Sequence, residues 1–167
     1  MNQDLVYHPD PRLRAVCDPV TRVDPKVQQL MRDLVDTMLH GDRGVGLAAP
    51  QIGRMERVIA IDTRKEGEQF LMANPEIVWM SGDSKVWKEG CMSIPEVFAD
   101  VTRPDRIRVR YIDADNEPRE LEAGDLLSVV IQHEIDHLNG VLFIDHLSRL
   151  KRDMLLRRYN KIIRVKE

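Results

Sequence analysis

The chain has 167 residues, 43% apolar and 32% charged, enough for one domain with a core and too few for two. No apolar run approaches the ~18 residues of a membrane span, and Met1-Asn2-Gln3-Asp4-Leu5 lacks the basic-then-apolar order of a signal peptide, so a cytoplasmic protein with no membrane partner is expected. The net charge of −3 is uneven: from Arg149 onward eight basic residues stand against two acidic ones, giving +6 and leaving −9 for the rest, so the tail is suited to an anionic partner.

The first predicted element is a helix over 25–39. Asp24 can cap it, Pro25 suits its first turn, and Val27, Leu30, Met31, Leu34, Val35 and Met38 recur at helical spacing. Residues 41–53 form a glycine-rich loop broken by Pro50. A strand over 57–61 follows, then short β segments over 70–73, 76–80 and 86–93. Arg106 to Asp113 alternates charged with apolar residues as a half-exposed strand does, Asp113-Ala114-Asp115-Asn116 supplies a turn, and Arg119 to Leu121 pairs back.

A second helix runs over 125–138, with Asp125 as its cap and Asn139-Gly140 as its end. Leu126, Leu127, Val129, Val130, Ile131, Ile135 and Leu138 cover most of its circumference, so it belongs inside the molecule. A third, basic helix begins near Ser148 and carries Leu150, Met154, Leu155, Ile162 and Ile163. The fold expected is α+β: antiparallel β-sheets packed around a central buried helix, with a C-terminal helix. Residues 1–167 form a single domain, of which 148–167 are the basic helix.

The buried helix contains His133-Glu134-Ile135-Asp136-His137. Histidines four residues apart lie on one helix face, so both rings can reach one metal ion, and Glu134 beside them can handle a proton. The competing reading is a buried histidine pair bonded to backbone. A catalytic site of this kind needs a third protein ligand. A histidine six residues beyond the second, as in one class of metalloproteases, is replaced here by Phe143. The only glutamate after Glu134 is the terminal Glu167. His146 lies beyond Gly140 and off the helix. Cys91, in Glu89-Gly90-Cys91-Met92-Ser93, is then the best third ligand, whereas Cys17 reads as buried structure. A Cys-His-His set accepts iron(II), zinc, nickel or cobalt.

Gly44-Val45-Gly46-Leu47-Ala48-Ala49, with Asp62 downstream, superficially matches a dinucleotide fingerprint. A helix rather than a strand precedes it, Pro50 would interrupt the required helix, and no Gly-Lys-Ser/Thr occurs, so no nucleotide cofactor is expected. The loop instead brings its backbone, Gly46 included, and the Gln51 amide toward a substrate.

Three segments together resemble the peptide deformylases: Gly44-Val45-Gly46-Leu47-Ala48-Ala49-Pro50-Gln51, Glu89-Gly90-Cys91-Met92-Ser93 and His133-Glu134-Ile135-Asp136-His137. The similarity extends to Pro9-Asp10-Pro11-Arg12-Leu13-Arg14 at the start and runs through Leu142-Phe143. The resemblance implies removal of the formyl group from the N-terminal formylmethionine of nascent peptides, with release of formate. It implies that Cys91, His133 and His137 bind one divalent metal, natively iron(II), with water as fourth ligand. It makes Glu134 the general base and then acid, and gives the oxyanion to Gln51 and the Met92 N–H. Val45, Leu126, Val129 and Val130 match the lining of the methionine pocket, which ordinary core positions would match as well. Glu89 and Arg103 match a structural ion pair. Phe98 departs from the family, standing where many bacterial members carry a peptide-contacting arginine, and Trp87 is bulky for a pocket rim. The basic tail is read either as a solvated face or as a ribosome contact.

Two other functions fit parts of the pattern. A zinc endopeptidase would use the same helix, against which Phe143 and the missing glutamate argue. A non-catalytic, ribosome-associated homologue would not need Glu134 and Gln51 merely to hold a metal.

Overall fold

The computed structural model describes residues 1–41 and 43–166. Helix α1 (Pro25–His40) begins as its sequence suggests, with Pro25 in the first turn and the Val27 N–H donating to the Asp24 carboxylate at 2.9 Å. The strands in chain order are β1 (Gly46–Ala48), β2 (Val58–Asp62), β3 (Gln69–Met80), β4 (Ser84–Cys91), β5 (Ile94–Pro104), β6 (Ile107–Ile112) and β7 (Pro118–Ala123). Five form one antiparallel sheet in the order β1-β2-β3-β6-β7, and β4 with β5 forms a separate antiparallel ribbon.

The strand boundaries differ from the sequence reading in three places. The segments at 70–73 and 76–80 are one strand, β3, whose register against β6 shifts twice. Asn74, at φ 49°, sits at one of these irregularities, and such a break reads in sequence as a turn. Strand β5 is absent from the sequence reading because Pro95, Glu96, Asp100 and Pro104 obscure its apolar positions, although Ile94, Val97 and Val101 are buried. Gly46-Leu47-Ala48, read as loop, is an edge strand that leads into a 3₁₀ turn over Ala49–Ile52.

Strand β2 explains the layering. It is apolar at four successive positions and buried on both faces, as a strand sandwiched between helices must be. Val58 and Ala60 pack with Leu30, Met31 and Leu34 of α1. Ile59 and Ile61 pack with Val130, Ile131 and Ile135 of helix α2 (Asp125–Leu138) on the opposite face. Cys17 is 3% exposed in this second layer, and burial pushes its thiol up to about 11, which agrees with the structural reading of that residue. Asp125 does not cap α2. Gly124 holds the cap position, and the Asp125 carboxylate reaches Lys85 Nζ at 2.9 Å.

Helix α3 (Arg149–Lys166) covers the β4–β5 ribbon. Leu155 and Tyr159, one helical turn apart, join Ile94, Val97, Val101 and Phe143 in a third cluster. Leu150 and Met154, by contrast, are 70% and 60% exposed. The Tyr159 ring is fully buried and its hydroxyl donates to the His8 carbonyl at 2.9 Å. Helix α3 is therefore part of the core and not an appendage. Tyr159→Ala is expected to destabilise the protein by about 3–5 kcal/mol, the range for emptying a large aromatic site. Urea unfolding checks this, and an unchanged midpoint would show that α3 does not seal the core.

Candidate metal centre

The candidate centre forms where the ribbon meets α2. Met92 and Ser93 turn between β4 and β5, so Cys91 stands at the tip of the ribbon, opposite Ile94. His133 and His137 project from one face of α2, with ring centroids 5.1 Å apart. One ligand atom from each of Cys91, His133 and His137 lies within 4.8 Å of the others. Cys91 Sγ is 3.3 Å from His137 Nε2. Sulfur and nitrogen ligands on a tetrahedral zinc-type ion are separated by about 3.6 Å, given bonds of ~2.3 and ~2.1 Å. A thiolate and two imidazoles at this spacing fit a divalent ion of the borderline class.

The rings are aimed by their neighbours. Glu89, also on β4, places Oε1 2.9 Å from His133 Nδ1. This fixes the hydrogen on Nδ1 and leaves Nε2 for a metal. Arg103 on β5 holds that carboxylate with two bonds, Nε at 2.6 Å and Nη2 at 3.0 Å, and both side chains are 4% exposed. Burial opposes ionisation of Glu89, but hydrogen bonds from His133 and Arg103 outweigh it and hold the carboxyl below its usual range. Burial pushes the His133 imidazole down, while Cys91 and Glu89 outweigh that and hold it well above the histidine range. Burial, with His133 beside it, holds His137 well below the same range. Phe143, which took the position of a possible third histidine, stacks on His133 at 6.1 Å.

Glu134 points from α2 toward β1. Its carboxyl is buried, Oε2 has no hydrogen-bond partner among the described residues, and burial pushes it up to about 7. A carboxyl in that range both accepts and returns a proton near neutral pH. Gly46 makes the approach possible, since a Cβ there would lie 2.7 Å from Glu134 Oε1 and 2.8 Å from Val130 Cγ1. The Gln51 amide is pinned from behind. Its Oε1 accepts from the Ala48 N–H at 2.9 Å, which turns Nε2 toward Ser93 Oγ at 3.1 Å and Cys91 Sγ at 3.6 Å. The Met92 N–H has no backbone acceptor among the described residues.

These groups lie at the floor of a cleft of about 820 Å³. Val45, Gly46, Leu126, Val129 and Val130, the substrate positions expected from sequence, all line it, with Gln51, Cys91, Met92, His133 and Glu134. His137 does not, because it is packed beneath at 1% exposure. Leu126 is 39% exposed at the mouth. Trp87 and Phe98 form part of the rim. The Phe98 ring lies so close over Gly90 that a Cβ there would be 2.6 Å from it, and Lys88 Nζ is 5.9 Å from its centroid.

Ser93 and Asp136 lie within the quoted motifs but have no role that the sequence alone assigns. Ser93 is fully buried and accepts the Gln51 bond. Asp136 accepts from Arg103 Nη1 at 3.0 Å and lies 2.8 Å from His146 Nε2. The available signal was their place in the motifs, Asp136 between the two histidines of the helix and Ser93 two residues after Cys91.

A family model for polypeptide deformylase matches residues 2–153. A peptide deformylase of Bartonella tribocorum is 49% identical over 164 residues, covering 95% of this chain and 92% of that protein. Among solved structures, a peptide deformylase from Legionella pneumophila superposes with a TM-score of 0.92 at 42% identity, covering 99% of this chain and 98% of that one. A peptide deformylase from Synechococcus elongatus, in complex with actinonin, gives 0.88 at 42% identity over 95% of this chain and 86% of that one.

Removing Arg103 would leave Glu89 buried without its cation. Arg103→Ala is therefore expected to cost about 3–5 kcal/mol in the metal-free protein, read by urea unfolding. A loss below about 1 kcal/mol, as for an exposed pair, would contradict the buried network.

Proposed function

Because the chain belongs to the polypeptide deformylase family, we propose that it removes the formyl group from the N-terminal formylmethionine of newly made proteins and releases formate. The observation that carries this is the convergence of Cys91, His133 and His137 beneath Glu134 and Gln51 at the floor of an apolar cleft. Cys91, His133 and His137 hold the metal, iron(II) natively, with zinc, nickel or cobalt able to replace it. A divalent ion there supplies Lewis acidity toward water and the formyl oxygen.

The protein's own groups do the rest. Val45, Leu126, Val129 and Val130 take the methionine side chain, and the Gly46 backbone lies along the substrate. Glu134 accepts a proton from the attacking water as the carbon–oxygen bond forms. The Gln51 amide and the Met92 N–H donate to the developing oxyanion. Glu134 then returns the proton to the leaving nitrogen as the carbon–nitrogen bond breaks, giving formate and a free methionyl N-terminus. The buried Glu134 Oε2, without a hydrogen-bond partner among the described residues, suits this role.

In the same reading residues 1–167 act as one catalytic domain in the cytoplasm, and the basic helix at 148–167 contacts the ribosome. Arg149, Lys151, Arg157, Arg158, Lys161 and Arg164 are exposed and form no salt bridge among the described residues. Shortening the chain after Leu147 is a poor test, because it removes the buried Leu155 and Tyr159.

Formate release from formyl-Met-Ala-Ser by the iron(II) protein, prepared anaerobically, tests the reaction. Glu134→Ala is expected to lose about 10²–10⁴-fold in kcat while retaining metal. Gly46→Ala, which displaces Glu134 without touching a ligand, should lose about 10²-fold. Wild-type protein that binds metal but releases no formate would sink the proposal. Replacing Arg157, Arg158 and Lys161 with glutamate is expected to weaken ribosome binding and leave short-peptide turnover unchanged. Equal ribosome affinity would return the tail to a merely solvated face.

A further inference from the structure

The hydrogen-bond chain behind His133 does not stop at Arg103. The guanidinium gives Nε and Nη2 to Glu89 and Nη1 to Asp136 at 3.0 Å. The same Asp136 oxygen, Oδ2, lies 2.8 Å from Nε2 of His146 in the 3₁₀ turn that follows α2. Four contacts of 2.6–3.0 Å thus connect an imidazole that is 35% exposed to the ring of His133.

The geometry points to Asp136 and His146 as positioning residues for the metal centre, which set the orientation of His133 through Arg103 and Glu89. This rests on the metal-holding role proposed above for Cys91, His133 and His137. Neither Asp136 nor His146 lines the cleft, so neither reaches a substrate. Their influence passes through the guanidinium, a planar fork whose rotation two bonds to one carboxylate leave dependent on what holds its third nitrogen. Asp136 fixes that nitrogen, and His146 fixes Asp136. Without His146, Asp136 is free to swing toward solvent, Arg103 can tilt, and Glu89 Oε1 no longer meets His133 Nδ1 squarely. A ligating histidine whose outer nitrogen loses its partner binds metal less well.

Cobalt(II) is the probe, because its visible bands report ligand geometry independently of turnover. Wild type, His146→Ala, His146→Gln and Asp136→Asn are loaded with Co(II). Their absorption spectra, rates of Co(II) loss to a chelator and urea midpoints are then compared. Direct outer partners of metal-bound histidines are worth about 10–100-fold in affinity. Two and three links further out, we expect about tenfold faster loss for Asp136→Asn and about threefold for His146→Ala, with shifted bands. The His146→Gln amide can donate to the same oxygen and should restore both loss rate and spectrum. Wild-type spectra and loss rates in His146→Ala and Asp136→Asn would overturn the inference, whatever the urea midpoints. Failure of wild type itself to bind Co(II) would overturn the metal centre and the inference with it.

Discussion

One buried cation organises the centre. Arg103 stands between Glu89 on the ribbon and Asp136 on α2, and it ties two separately packed layers together at 4% exposure. Without it, Glu89 would stand at 4% exposure with no cation beside it, where burial disfavours the charged form. A neutral Glu89 could present a hydroxyl to His133 and would no longer keep the ring hydrogen on Nδ1. The ion pair therefore acts less as a source of stability than as a device that fixes which ring nitrogen of His133 is left for the candidate centre.

The apolar layers set the distances that this network refines. Strand β2 is buried on both sides because α1 and α2 flank it, and the same sheet brings β1 against α2. Gly46 on β1 then meets Glu134 with no room for a side chain, and the following 3₁₀ turn delivers Gln51 to the tip of the ribbon. Helix α3 presses the ribbon from behind through Leu155 and Tyr159. Each functional group is held by an element whose position depends on core packing.

Much of this was legible in the sequence. Helices α1 and α2 announce themselves by apolar spacing, and two histidines four apart on an apolar helix mark a metal site without any relative for comparison. The absence of a third ligand downstream directs attention back to Cys91. What the sequence hid has physical reasons. Strand β5 carries two prolines and a charge at every few positions, because one face is solvated and Arg103 on the other is neutralised only in three dimensions. Asp125 looks like a cap, but Lys85, forty residues earlier, claims its carboxylate. The burial of Tyr159 beneath a basic helix cannot be read from the helix alone, since its partners Ile94 and Val101 lie on the strand that was not seen.

The centre is also assembled from pieces that are remote along the chain. Cys91 and His137 are 46 residues apart, and Glu89 and His133 are 44 apart. No local segment brings three donors together, so the unfolded chain offers a metal no comparable site. Contacts of such long range carry a loop-closure cost that the packing of the rest of the fold must offset. Ion capture consequently follows tertiary closure, and a bound ion favours the closed state by mass action in proportion to its affinity. During synthesis the third donor, His137, emerges after the other two, and α3, which presses the ribbon into place, follows it, so the complete centre awaits nearly the whole chain.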